Sequence, residues 1–222
     1  MQKSLLIFLS VILILSSSSC KKKKGAVVDL GDYQPITTGS EWNYTVTGTG
    51  SGTYKIISTG RDTSVNGKTY KVMTNSAGPN EYYNKTGNDY FRFAKLAEFN
   101  NQSVELLYLN DNLAVNQTWV ETKTINVNVT GFGNVPVTAV FTFTVAAKGI
   151  SHTVNGVVFK DVIKITAVPV FSAFGSVIPN TSDLQYFYAR KAGLINSKTT
   201  LTIPLASVNA SSETILTTYI IK

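Results

Sequence analysis

The sequence predicts an all-β protein: an antiparallel sandwich or a partly open barrel, with room for two similar halves. Thr, Val, Ile, Tyr and Phe are plentiful while only 15% of residues are charged, and branched or aromatic side chains suit a pleated, half-buried surface. Apolar and polar residues alternate over many short stretches, the repeat of strands with one dry and one wet face. Asn66-Gly67 and Asn155-Gly156 punctuate those stretches, and both residue types tolerate the positive φ of a type I′ hairpin turn. Beyond the first 20 residues no stretch shows helical periodicity.

In chain order, the first element is a leader. Lys3 precedes an apolar run from Leu5 to Leu15 that stops in Ser16-Ser17-Ser18-Ser19. One positive charge, a short apolar run and small residues make a secretory signal peptide over 1–19. The run is shorter than the roughly 20 residues a membrane-spanning helix needs. Ser17-Ser18-Ser19-Cys20 resembles the lipobox of bacterial lipoproteins, although Ser17 stands where an aliphatic residue is usual. That resemblance implies cleavage before Cys20 and lipid attachment to its thiol. Cys20 is the only cysteine, so it has no intramolecular disulfide partner in an oxidising compartment. Two or more acyl chains hold a protein at a bilayer where one gives only marginal binding.

Residues 20–31 read as a flexible tether that opens with Lys21-Lys22-Lys23-Lys24. Next to a membrane these lysines attract anionic headgroups. By resemblance to other lipoproteins, a residue other than Asp after the cysteine implies the outer membrane. Surface export in Bacteroidetes-type lipoproteins goes with acidic residues there, so Lys21 to Lys24 point to a periplasm-facing position. The tether also explains the formal charge of +7: Lys3 and Lys21 to Lys24 supply five of the 20 Lys and Arg, leaving 15 against 13 Asp and Glu. A fold so nearly neutral lacks the basic face that nucleic-acid binding requires.

Residues 32–222 are expected to form a single β domain, long enough to bury a core without disulfides. Alternation marks strands at Trp42 to Thr47, Val104 to Tyr108, Ile125 to Val129, Val135 to Val145, Leu201 to Leu205 and Ile215 to Ile221. The spacing of turns implies about ten to twelve strands. Gly48-Thr49-Gly50-Ser51-Gly52 reads as a turn between strands rather than a phosphate loop, because no helix follows it. The segment from Tyr54 through Gly60 and Asn66-Gly67 to Tyr70-Lys71 reappears 89 residues later, from Phe143 through Gly149 and Asn155-Gly156 to Phe159-Lys160. A Trp strand precedes each copy, at Trp42 and Trp119, which suggests an internal duplication over about 42–113 and 119–222. Two such units would share one core, since stacked repeat arrays need three or more.

Pro35-Ile36-Thr37-Thr38-Gly39-Ser40-Glu41-Trp42-Asn43-Tyr44 resembles the Pro-x-x-x-Gly-x-x-Trp-x-Tyr opening of small, uncharacterised β-rich lipoproteins of the Bacteroidetes type. Leu109 to Trp119, Phe159 to Ile165 and Tyr186 to Ile195 resemble their central and late segments. The resemblance implies an envelope location and β architecture. It implies no activity.

Chemistry is sparse. His152 is the sole histidine and reads as a loop residue beside a hairpin turn, with no Gly-x-Ser-x-Gly elbow to complete a triad. One histidine and a lipidated cysteine cannot supply the usual zinc ligands, so no metal or other cofactor is expected. Carboxylates could hydrolyse a glycoside if two converged within about 5–10 Å, but Asp62, Asp89, Asp111 and Asp183 sit near strand ends and turns. The remaining candidates are aromatic: Tyr82, Tyr83, Tyr90, Phe91 and Phe93, with Tyr186, Phe187 and Tyr188. They read first as packing residues and second as the lining of a cleft for an apolar or glycan ligand. The expected role is therefore non-enzymatic: binding or scaffolding by a protein held to the membrane through acyl chains, its partner an envelope protein, a lipid or a glycan.

Overall fold

Alternation of branched or aromatic residues with threonine carries the chain into strands along most of its length. The computed structural model describes residues 31–96, 102–129 and 133–222. The signal peptide, Cys20 and the tether up to residue 30 lie outside the described residues. Six strands come first: β1 (Glu41–Gly48), β2 (Gly52–Val65), β3 (Lys68–Asn75), β4 (Glu81–Thr86), β5 (Asp89–Leu96) and β6 (Gln102–Asn110). After the loop 111–117 come β7 (Thr118–Val129), β8 (Gly133–Val154), β9 (Val157–Ala173), β10 (Ser176–Ile178), β11 (Thr181–Ala189), β12 (Gly193–Ile203) and β13 (Val208–Ile220).

The strands form one antiparallel sheet in the order β6-β5-β4-β3-β2-β1-β13-β12-β11-β9-β8-β7, with β10 on β9. Each six-strand meander pairs with its sequence neighbours, and the two meanders join where β1 meets β13, from Glu41 opposite Ile220 to Gly48 opposite Ser212. Of the two predicted architectures the barrel is the one formed, and it is nearly closed. The described residues give thirteen strands, one more than the upper expectation, because the three-residue β10 has no sequence signal of its own. A second correction falls on Leu201 to Leu205: β12 stops at Ile203, and Pro204–Ala206 turns as a 3-10 helix, since proline has no N–H for the ladder.

The gap lies between β6 and β7. Side chains fasten it in place of a ladder: Gln102 Nε2 donates to the Asn126 carbonyl at 2.5 Å and its Oε1 accepts from the Asn126 N–H at 2.8 Å. Trp119 Nε1 donates to the Leu107 carbonyl at 2.8 Å. On β7, Glu121 and Lys123 share a face with Ile125 and Val127 through their unbroken pairing with β8, and they bridge each other at 2.7 Å. Inward-pointing charge is a known defence of an edge strand against foreign pairing.

The 89-residue repeat has a structural counterpart. Asn66 and Asn155 sit at φ 50° and 49°, each followed by a glycine at φ 79°, so both turns are type I′. Gly60 and Gly149 match at φ 74° and 72°, and each falls within a register shift of its hairpin. Bulges bend and twist a strand, and beyond them each hairpin tip lays an aromatic ring on a strand of its own meander. Tyr70 packs on Phe93 at 6.3 Å, and Phe159, 89 positions on, packs on Tyr219 at 6.1 Å.

One large core runs through β5 to β12 and a second gathers around Trp42, Ile56, Met73 and Leu216. Residues 33–35, just ahead of β1, are buried. Tyr33 donates to Asp161 Oδ1 at 2.8 Å, and Arg190 stacks over the Tyr33 ring at 4.2 Å while bridging Asp161. Trp42 Nε1 donates to the Ala192 carbonyl at 2.7 Å, which ties the first strand to the turn before β12.

Candidate functional site

Directly opposed residues in an antiparallel pair project to the same face. Met73 opposes Glu81, Tyr83 opposes Arg92, and Arg92 opposes Leu106, so these five side chains share one face as two neighbouring rungs, a stretch of inward row across β3 to β6. Leu106 packs against the large core, which makes this the inward row. Tyr82, Phe93 and Glu105 take the other face. There Lys68 bridges Glu105 at 2.8 Å and caps the Phe91 ring at 3.5 Å, while Tyr70 donates its hydroxyl to Glu105.

The inward row meets β8, β9 and β11 around a cavity of about 120 Å³. Val104, Leu106, Phe141, Phe143, Ala167 and Leu184 give it apolar walls, and Arg92, Tyr108, Tyr186 and Tyr188 bring polar atoms to it. Arg92 lies deep among the tyrosines of this interior, yet 41% of its side-chain surface remains uncovered. Its Nε is 3.0 Å from Glu81 Oε2 but out of line for a hydrogen bond. Glu81, with a side chain only 9% exposed, accepts from Asn75 Nδ2 at 2.9 Å and from the Tyr83 hydroxyl at 2.8 Å. The Tyr108 hydroxyl is buried and has no hydrogen-bond partner.

The electrostatics follow from enclosure. Burial works against the Arg92 charge, but Glu81 and the phenols of Tyr83, Tyr54 and Tyr188 outweigh it and hold the guanidinium well above its ordinary range. Burial raises Tyr44, Tyr83, Tyr108 and Tyr188 well above the usual phenol value. Tyr54 is pushed up to about 12 by burial first and Glu81 second. At the cavity, Arg92 is therefore a permanent cation beside the Glu81 carboxylate, among neutral phenols.

The aromatics expected from sequence divide between places. Tyr186 and Tyr188 line the cavity, and Tyr83 packs edge-on to Tyr108 at 6.1 Å. Tyr90 packs on Tyr108 at 6.4 Å, donating to Asp111 Oδ2 at 2.9 Å and accepting from the Tyr33 N–H. Tyr82, Phe91 and Phe93 belong to the opposite face of the sheet. Phe187 also lies outside the cavity, with His152 stacked on it at 4.0 Å and 8° between planes. His152 is thus a strand residue of β8 rather than the loop residue expected, because the hairpin ladder continues past it to Val154 opposite Val157. Burial lowers its pKa, and Lys198 and Lys164 add to that against the Asn196 hydrogen bond. The open groove beside it includes Asn196, Lys198 and Glu213.

The carboxylates named from sequence are spoken for: Asp62 bridges Lys71, Asp89 accepts from Asn110, Asp111 from Tyr90 and Asp183 from Gln185. Among the described residues no three His, Cys, Asp or Glu side chains gather as metal ligands. Cys20 lies outside the described residues. Arg92 is the residue that sequence reasoning missed. Its signal was a lone charge inside Tyr90-Phe91-Arg92-Phe93, where strand alternation sets it on the face of Tyr83.

No protein-family model matches the chain, and no curated protein matches it. Two solved structures are similar to it. A candidate lipoprotein from Parabacteroides distasonis superposes with a TM-score of 0.53 at 13% identity, over 85% of this chain and 98% of that one. A candidate exported protein with a YmcC-like fold from Bacteroides fragilis gives a TM-score of 0.41 at 7% identity, over 84% of this chain and 97% of that one. The first likeness shows a shared fold.

Proposed function

We propose that this chain is a lipid-anchored envelope protein that holds a small, largely apolar molecule inside its barrel. The observation that carries the binding role is the interior cavity of about 120 Å³ with a charged group left facing it. An apolar cavity on the order of 150 Å³ admits benzene or xenon, so this one suits a comparably small guest. Its volume is well under the roughly 300–1,000 Å³ of drug-sized sites, which favours a scaffold with a closed core as the competing role. Arg92 supports the binding role, because it lines the cavity with 41% of its side-chain surface uncovered.

The anchor is supported by the leader, by Ser17-Ser18-Ser19-Cys20 and by the fold shared with a candidate lipoprotein. The lysines at 21–24 favour an outer-membrane protein that faces the periplasm. Both parts are open to test. Xenon NMR on the purified protein is expected to show a saturable shift that Ala167→Leu, which fills the cavity, weakens strongly; no shift in the unaltered protein would refute interior binding. In cells, Cys20→Ser protein is expected to remain unprocessed or to leave the membrane fraction. Normal processing with unchanged membrane attachment would refute the lipid anchor.

A further inference from the structure

An arginine presents five N–H donors in a rigid planar fork and stays charged in proteins. Arg92 spends little of that capacity. Its Nε faces Glu81 without alignment, and no described residue is hydrogen-bonded to the guanidinium. Glu81 does not take up the slack, because Asn75 and Tyr83 already donate to it. Arg92 and Tyr108 both line the cavity, Tyr108 with its hydroxyl buried out of reach of solvent.

A planar cationic fork lining an otherwise apolar cavity has a definite chemical complement. It needs two acceptor oxygens in one plane to match the fork and a hydrocarbon remainder against Leu106, Phe143 and Leu184. A dianion is disfavoured, because the carboxylate of Glu81 stands within 3.0 Å of the same guanidinium. We infer that the cavity takes a monocarboxylate with a compact apolar tail of about four to six carbons, its head on Arg92. This rests on the interior being a binding site.

Isovalerate and its uncharged isostere isovaleramide test the assignment by calorimetric titration of the purified protein. Isovalerate is expected to bind about tenfold tighter or more, the worth of a charge-assisted contact. Arg92→Met combined with Glu81→Gln should abolish that preference, the second change preventing a lone buried carboxylate from unfolding the barrel. Equal affinity for acid and amide overturns the carboxylate assignment and leaves interior binding standing. A preference that survives the double change overturns it as well. Exclusion of xenon from the unaltered protein removes interior binding itself, and this inference with it.

Discussion

A phenol in water ionises near pH 10, and the tyrosines around Arg92 are held above that by burial. Tyr54, at about 12, gives the window. Its folded-state pKa is raised, so the folded protein keeps a proton that the unfolded chain releases above about pH 10. The corresponding stability is fully present below that point and is lost as pH rises toward about 12. Stability is therefore expected to be flat through neutral pH and to fall steeply above pH 10, with phenolate absorbance and loss of β circular dichroism rising together. Ionisation of these phenols below pH 10 with the fold intact would contradict this. At the same scale, the aromatic clusters were legible in sequence but their facing was not. Alternation runs unbroken through Tyr90–Phe93 and Tyr186–Tyr188, the inserted residues falling on the partner strands β6 and β12. A period of two does not say which of its two faces meets the core.

Elements were most readable where their cause is local. An Asn-Gly pair imposes its turn without help from the rest of the chain, so both hairpin tips are where the sequence puts them. The β6–β7 gap was unreadable for the opposite reason. Nothing in Gln102–Asn110 or Thr118–Val129 distinguishes an edge from an interior strand except the Glu121–Lys123 pair on the dry face of β7, and that gains meaning only once the neighbours are known. The gap should be the weak point of the sheet. Gln102→Ala removes both hydrogen bonds to Asn126 and is expected to cost about 1–2 kcal/mol. Hydrogen exchange at the Asn126 amide should quicken while the β3 amides stay protected. Unchanged exchange at Asn126 would mean that something other than this side chain holds the two edges together.

For the whole molecule, one sheet built from two meanders means one cooperative unit. The large core draws on both, from Tyr90, Tyr108 and Leu109 in the first to Val137, Ile165 and Leu201 in the second. Either half alone, 42–113 or 119–222, is expected to lack a cooperative thermal transition and to aggregate; a half that melted sharply as a soluble monomer would contradict the shared core. The junction at β1 and β13 has a temporal consequence. A ribosome delivers Trp42 and Tyr44 long before their acceptors, the carbonyls of Ala192 and Leu194, each 150 positions later. Until the carboxyl end emerges, the first meander carries a bare flank of main-chain donors and acceptors. The two meanders are joined last, so a chain truncated ahead of β13 should yield an adhesive fragment rather than a smaller barrel.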